Sequence, residues 1–592
     1  MVKELVSNVL LSNLQLSNCS GHNMENPSTN DIRGIVVGPA EVKEEFFERK
    51  IGLVSVVIIS LSAMLGSGLF VLPALAMLEM GGGTIPVGGV WLAYFLAAIV
   101  VLPAAISKSE LASAMPFTGG TYVYVQKTFG ALFGTISGLG LWANFMLKSA
   151  FALIGFKAYL WVIEAAIGDL TGLEMEIDIQ VAALLLLIII IIINIRGLKS
   201  IKKVQTPIIL SATTFLLGLS MWSLITMPIN WDSVVSKEAF GGGISSVATT
   251  AAFVFVSYAG VTKIAAVGGE IKNPNKNIPN GILLSLLISC FLYVFITFSM
   301  AAVMNPSDYL EEDDSHHARH DPVYIFAEGV GGELIGTIAA LFSVVVMTSM
   351  AVAGMMAASR FPFAMAKDKL IPDAFGKVHP KFQTPQLSII FTGLSMGLAI
   401  TFLPVHDVAE LASGFKIMIF IVINFSVIIL RTSSSSHNWY MPEWKSPMYP
   451  FTQFFGVLAG FWLLILMGTE ALIGASTAII LGLLIFKSYG EKYNESIISP
   501  WNTFTLTLKN SDEVEIRRKK AAFFSVKTRN DNDLDFDDFT RAMNYLKPDT
   551  YEKQYLSRLF SQLDKNENGK ISLEEFIQLD EDALNQHSIE AE

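Results

Sequence analysis

Between Ile51 and Phe486 the chain strings together about twelve apolar stretches, each close to the roughly 20 residues a helix needs to cross a bilayer. They run approximately over 51–79, 84–107, 121–160, 179–195, 206–227, 245–268, 281–303, 333–358, 386–404, 411–430, 449–468 and 470–487. No water-soluble core uses that many such segments. Of the 592 residues 52% are hydrophobic and 16% charged, where a soluble domain has about a quarter charged. The expectation is an all-α membrane protein with about twelve transmembrane helices, its natural surroundings a lipid bilayer. Of the net charge of -11, seven units lie beyond Lys487, so the acidity describes a compositionally different tail. Cys19 and Cys290 fall in a polar N-terminal segment and inside a span, a placement that excludes a disulfide between them.

An even number of spans puts both termini on one side, and the loop lysines and arginines say which. Arg49, Lys50, Lys108, Arg196, Lys199, Lys202, Lys203, Lys272, Lys276, Arg360, Lys367, Lys369, Lys377, Lys381, Arg431 and Lys445 all fall on the face that holds both ends. That face is expected to be cytosolic, most simply at the cell membrane. The opposite loops carry acidic clusters at Glu174–Asp178 and Glu311–Asp314. His316, His317, His320 and Asp321 beside the second cluster have zinc-ligand chemistry, but no closed four-ligand pattern, which favours a solvated loop. Residues 1–45 lack a signal-peptide pattern and are rich in Ser, Asn and Gly near the start, so a disordered cytosolic arm is expected there. Residues 46–488 are expected to form one twelve-helix membrane domain.

Two spans carry glycine where an unbroken helix does not want it. In the first, Gly66-Ser67-Gly68 follows Ala63-Met64-Leu65, and two such glycines cost about 2 kcal/mol of helix propensity relative to alanine. The sixth has Phe255-Val256-Ser257-Tyr258-Ala259-Gly260. Backbone freed at mid-membrane is tolerated where it lines a cavity or is buried in protein. Two breaks five spans apart, in helices running opposite ways, match an inverted repeat with its solute site between the halves. Half-helix N-termini suit a carboxylate and freed carbonyls an ammonium, the two ends of an amino acid. The alternative is glycine that merely lets helices pack closely.

Gly66-Ser67-Gly68-Leu69-Phe70 with Pro73 resembles the first-helix signature of the amino acid-polyamine-organocation (APC) permeases. Glu110-Leu111-Ala112-Ser113 through Pro116, with Gly119-Gly120-Thr121-Tyr122, is similar to the family's loop after the second helix. Glu270-Ile271-Lys272-Asn273-Pro274 with Asn277-Ile278-Pro279, and Arg360 through Ala364-Met365-Ala366-Lys367-Asp368 to Ile371-Pro372, resemble its segments after the sixth and eighth helices. The resemblance covers about residues 45–488. It implies a 5+5 inverted repeat of the LeuT-like type. It also implies a substrate carboxylate on the N–H groups of Ser67 and Gly68 and an amino group on carbonyls at Met64 and around Val256 and Ala259. Gly66, Ser257 and Gly260 complete the expected site. The aromatic gate and the acidic residue of the family's arginine/agmatine exchangers are absent at the matching Val256 and Thr262, which argues against that activity.

Lys148 lies deep in the third span, where a charge is costly and is expected to face protein or a water cavity. It is a candidate for proton exchange during transport or for the place of a sodium ion, with snorkelling to the interface as the alternative. Lys263, just past the second break, is a further coupling candidate or part of an inner vestibule. Thr348-Ser349 are sodium ligands by type but align poorly with the family, so a proton is favoured over sodium.

After a linker over 489–511 the tail changes character. Asp564, Asn566, Asn568, Gly569, Lys570, Ser572 and Glu575 occupy positions 1, 3, 5, 6, 7, 9 and 12 of an EF-hand loop, with Ile571 at position 8. Oxygen side chains at 1, 3, 5, 9 and 12 and the Lys570 carbonyl are what Ca2+ needs. Leu534, Asp538 and Phe539 repeat positions 8, 12 and 13 of a second loop whose first positions fall on Lys527 and Arg529, cations that do not coordinate calcium. Residues 512–592 therefore read as an EF-hand pair with one metal-binding hand. A short linker is expected to keep it near the cytosolic loops. An amino acid transporter is the first functional reading and a non-transporting solute sensor the second. An enzyme is disfavoured because the spans hold no catalytic cluster of carboxylates, His, Cys or activated nucleophile.

Overall fold

A computed structural model describes residues 51–116, 120–162, 179–197, 201–266, 268, 271–310, 318–433, 440–493 and 499–507, and in the tail 533–546, 553–566 and 568–579, with isolated positions between 516 and 526. The expected N-terminal arm over 1–45, Cys19, His316, His317 and Glu270 lie outside the described residues. The chain separates into two compact units, one within Glu41–Val514 and one from Glu515 to Glu592.

The larger unit is built of α1 (Leu53–Met64), α2 (Leu72–Met80), α3 (Val90–Ala114), α4 (Thr121–Phe129), α5 (Ala131–Ala158), α6 (Ile179–Arg196), α7 (Ile201–Thr226) and α8 (Ile244–Phe253). It continues with α9 (Pro274–Val303), α10 (Pro322–Gly331), α11 (Glu333–Lys367), α12 (Gln386–Phe402), α13 (Val405–Thr432), α14 (Phe451–Leu466), α15 (Thr469–Ile485) and α16 (Pro500–Thr507). Eight helices among the described residues are long and apolar enough to cross a membrane, and four shorter apolar ones, in α1, α6, α12 and α14, accompany them. The shortfall from twelve full-length spans has local causes. α1 stops at Met64, and α6, α12 and α14 run 18, 17 and 16 residues, at or under the usual spanning length.

Position in the bundle follows from residue size and polarity. α5 and α13 are enclosed on nearly every side, whereas α7 and the helix beginning at α15 turn most of their surface outward. Outward faces carry Leu458, Trp462 and Ile465 on α14 and Leu287 and Phe291 on α9, side chains at home in hydrocarbon. The linker expected over 489–511 is partly structured: α16 sets Trp501 against Phe129 and Phe133 at ring separations of 5.6 and 6.1 Å. Two of the four residues of the zinc-like cluster, His316 and His317, lie outside the described residues. Asp321 accepts both of its close hydrogen bonds from Arg319, at 2.9 and 2.7 Å, and no group of three His, Cys, Asp or Glu side chains is placed to hold a metal among the described residues.

Where the C-terminal ends of α3 and α13 meet, the buried Glu110 carboxylate accepts two hydrogen bonds from the Arg431 guanidinium at 2.8 and 2.7 Å. It also accepts from the Tyr440 hydroxyl at 2.8 Å and the Ser446 N–H at 2.7 Å. Ser107, Asn424 and Gln453 continue the network. The same region joins two distant signatures, since the Tyr122 hydroxyl on α4 donates to the Asp368 carboxylate just past α11 at 2.7 Å. Burial pushes the Asp368 carboxyl up, against the hydrogen bonds from Tyr122 and Gln126 and the nearby Lys127 charge, which pull it down.

The tail unit contains α17 (Phe536–Leu546), α18 (Lys553–Leu563) and α19 (Leu573–Ile577) around Phe539, Met543, Phe560 and Phe576. Leu534 and Ile571 exchange two backbone hydrogen bonds of 2.8 Å each in an antiparallel bridge, so the two residues at position 8 of the repeated pattern face one another. Gly569 sits at φ +76°, the left-handed turn that favours glycine, and Ser572 caps α19 in a reciprocal box with Glu575.

Glu110 is fully buried while Arg431 is 22% exposed, so losing the arginine strands the carboxylate. Arg431→Met is expected to destabilise the larger unit by about 3–5 kcal/mol, read as a lowered Tm in detergent, with Glu110→Gln smaller and the double variant less than additive.

Candidate functional site

The first break arises where α1 ends at Met64. Leu65 takes φ -74° and ψ 92°, Gly66 takes φ -163° and ψ -128°, and a single helical turn over Ser67–Phe70 precedes α2. The second differs from the expected unwinding. α8 tightens into a 3-10 stretch over Val254–Thr262 before one α turn at Lys263–Ala266, where Ser413 and Lys148 take up main-chain groups of Phe253 and Val256.

Both breaks expose backbone groups at depth, and each group named here meets a side chain from a neighbouring helix. The Lys148 ammonium on α5 donates to the Ala63 carbonyl at 2.9 Å and the Val256 carbonyl at 3.2 Å, so one cation ties the two breaks together. The Tyr293 hydroxyl on α9 lies 2.7 Å from the Met64 oxygen and 3.2 Å from that of Ser257, one proton between two carbonyls. Tyr94 donates to Gly68 at 2.9 Å, Tyr159 to Phe70 at 2.7 Å, and Tyr258 to the Tyr94 carbonyl at 2.9 Å. The Tyr94 ring stacks on Tyr293 and Tyr258 meets it edge-on, which fixes all three. Ser413 on α13 accepts from the Val256 N–H at 3.0 Å and donates to the Phe253 carbonyl at 2.8 Å.

The glycines set the clearance between the breaks. A Cβ at Gly68 falls 2.6 Å from Ser257 Oγ and 3.0 Å from its Cα, and one at Gly260 falls 2.6 Å from the Ala63 carbonyl carbon. Backbone thus lies on backbone. The residues named from sequence come together here: Met64, Gly66, Ser67 and Gly68 on one side, Val256, Ser257, Ala259 and Gly260 on the other, and Lys148 across them. Lys148 is 5% exposed, with its ammonium on carbonyls inside the protein. Lys263 lines the same narrow cleft as Lys148, with Ser62, Phe145, Ser149 and Met350. The Ser67 N–H, expected to face a carboxylate, donates to Met350 Sδ on α11 at 3.4 Å. Sequence reasoning missed the four tyrosines, Ser413 and Met350. A tyrosine inside an otherwise apolar span was the available signal, since a buried hydroxyl needs a partner.

Residues 51–487 match the family model described as amino acid permease. The chain belongs to the amino acid permease family. It is 26% identical over 469 residues to the branched-chain amino acid permease BcaP of Bacillus subtilis, covering 76% of this chain and 95% of that protein. To the methylthioribose transporter of the same organism it is 24% identical, covering 77% and 96%. To the serine/threonine exchanger SteT, also of Bacillus subtilis, it is 26% identical, covering 70% and 90%. With the eight apolar helices, this family membership makes the protein an integral, multi-pass membrane protein.

Gly260→Ala is expected to lower Tm through overpacking of about 1–3 kcal/mol against the first break. Gly218→Ala on α7, where a Cβ has nothing within 4 Å, is expected to be neutral or to stabilise by up to about 1 kcal/mol. Equal shifts for the two would mean that clearance at the break does not matter.

Proposed function

We propose that the protein is a secondary active transporter that moves amino acids across the cell membrane by alternating access, in a twelve-helix fold with a 5+5 inverted repeat and both termini cytosolic. The observation that carries this reading is the Lys148 ammonium bonded to one carbonyl of each helix break, in a chain of the amino acid permease family. It supports a site in which side chains from α5, α9 and α13 hold both interruptions ready around a cleft. A thioether is a weak acceptor, so a substrate carboxylate taking the place of Met350 Sδ at the Ser67 N–H gains a stronger bond. Exchange of the lysine's carbonyl bonds for those of a substrate ammonium follows the same logic.

Lys148 is also the group best placed to link solute movement to a proton, since α5 brings its ionisable atom into contact with both breaks. In proteoliposomes the purified protein is expected to take up labelled neutral amino acids faster with an inward proton gradient. Lys148→Ala is expected to lose that acceleration while still inserting and binding detergent normally. Binding without flux in the native protein would replace transport by solute sensing.

The tail is proposed to be an EF-hand pair with one Ca2+ site. The Asp564 carboxylate accepts from the N–H groups of Asn568 at 3.1 Å and Gly569 at 2.8 Å. Asn566 and Asn568 side-chain oxygens accept from Asn568 and Lys570 N–H groups at 3.0 and 2.8 Å. Glu575 reaches back across the loop to the Lys565 N–H at 3.2 Å. These bonds keep oxygen-bearing side chains of positions 1, 3, 5 and 12 within one loop, which supports a hard-cation reading with Ser572 and the Lys570 carbonyl as further oxygen ligands. Hydrogen bonds from the Ser572 N–H and hydroxyl hold the Glu575 carboxyl below its usual range, so it is ionised at neutral pH. Its contribution to tail stability is present above that range and is lost as the pH falls through its own lowered pKa. Two formal charges among the ligands support a dissociation constant of about micromolar or weaker. Calorimetry of the full chain is expected to show one Ca2+ site, abolished in Glu575→Gln. If uptake is the same with and without micromolar Ca2+ in both proteins, the tail does not regulate transport.

A further inference from the structure

Two helices that flank the breaks meet at His406, in the first turn of α13. Its Nε2 lies 3.3 Å from a carboxylate oxygen of Glu79, near the end of α2, the helix that follows the first break. Its ring stacks on Phe253, the last residue of α8 before the second break, with centroids 4.8 Å apart and planes 20° from parallel. About two turns deeper on α13, the Ser413 hydroxyl donates to the Phe253 carbonyl at 2.8 Å. α2 and α8 are also linked directly, since the Ser246 hydroxyl donates to the Met80 carbonyl at 2.5 Å. One imidazole thus joins α13 to a pair of helices that each lead into a break. Among the described residues the charged groups that act on it are Glu79 from α2 and Glu410 and Asp407 from α13 itself, while α8 presents the Phe253 ring. The His406 and Glu79 side chains are 39% and 23% exposed, so protons reach the pair from solution.

From this arrangement, and resting on the transport reading with both termini cytosolic, we infer that His406 is a proton-operated latch at the outer mouth of the transporter: as imidazolium it pairs with Glu79 and draws α2 against α13, and as neutral imidazole it lets α2 part from α13. With the N-terminus inside, α1 runs outward, so α2, α8 and the start of α13 lie on the outer side of the breaks. Histidine is the side chain whose ordinary charge change falls between pH 5 and 8. A neutral ring still donates one hydrogen bond from Nε2, but a charge-assisted bond is about twice as strong. The added hold is therefore present below the pH at which the ring loses its proton and is lost above it. An acidic outer solution favours a closed mouth and an alkaline one an open mouth. His406 does not line the cleft beside Lys148, so it is a positioning residue that acts on the breaks through α2 and Phe253.

Hydrogen–deuterium exchange of the full-length protein in detergent tests this without any substrate, reading the amides of α2 and, as an internal control, those of α9. Native protein and each variant are compared at the same pH, which cancels the intrinsic change of exchange rate with pH. His406→Gln is expected to exchange α2 about two- to fivefold faster than native at pH 6 and equally at pH 8.5, with α9 unchanged, the size being that of a part-exposed ion pair. Glu79→Gln is expected to do the same. His406→Arg, a permanent cation, is expected to match native at pH 6 and to exchange α2 more slowly than native at pH 8.5, which keeps the inference testable if the glutamine variant does not fold. Faster exchange in His406→Gln by the same factor at both pH values means that the ring acts by stacking alone and overturns the latch, as does exchange equal to native at pH 6. Uptake by the native protein in proteoliposomes decides the transport reading separately: its absence for every amino acid overturns that reading and the placement of the latch at a transporter's mouth, whatever the exchange shows.

Discussion

Everything at the centre of this molecule depends on backbone groups that a helix break leaves without partners in a setting that offers little water. Such groups are costly to bury unpaired, at about 1–3 kcal/mol each, so an interruption persists where other helices supply replacements. Here the replacements come from far away in sequence. Lys148 on α5, Tyr293 on α9, Tyr94 on α3, Tyr159 after α5 and Ser413 on α13 each reach a break, and all five are buried. The helices around the site are thereby placed by the needs of two short stretches of main chain. The stacked Tyr94 and Tyr293 rings, met edge-on by Tyr258, restrict the movement of their hydroxyls.

At the opposite end of α3 the same economy of polar groups is used differently. Glu110, Arg431, Tyr440 and Ser446 satisfy one another and tie the chain after α13 back to α3. The Tyr122–Asp368 bond joins α4 to the end of α11. Each of these signature residues is one half of a bond whose other half lies in another signature or span.

Much of the fold was legible because apolar length and glycine placement are local properties. The Gly66-Ser67-Gly68 interruption could be read directly, and so could the position of the Asp564–Glu575 loop, since both patterns are contained in a few residues. The 3-10 form of the second break could not, because Phe255–Gly260 differs from ordinary helix by one glycine and its tight winding depends on Ser413 and Lys148. Lys148 was conspicuous as a charge, but its two carbonyl partners lie 85 and 108 residues away and no spacing rule connects them. The tyrosines were invisible as a group for the same reason. α16 was missed because Trp501 finds Phe129 and Phe133 by tertiary contact inside a segment whose composition reads as a connector.

The contact between the breaks also constrains how such a protein can change over generations. Gly68 rests on Ser257 and Gly260 on Ala63, with no space for even a methyl group at either place. Side-chain variation is therefore closed off where the main chain is interrupted, and is left to the side walls at Phe145 and Ser149 on α5 and Met350 and Ala353 on α11. One backbone crossing can in this way stay fixed while the walls beside it change.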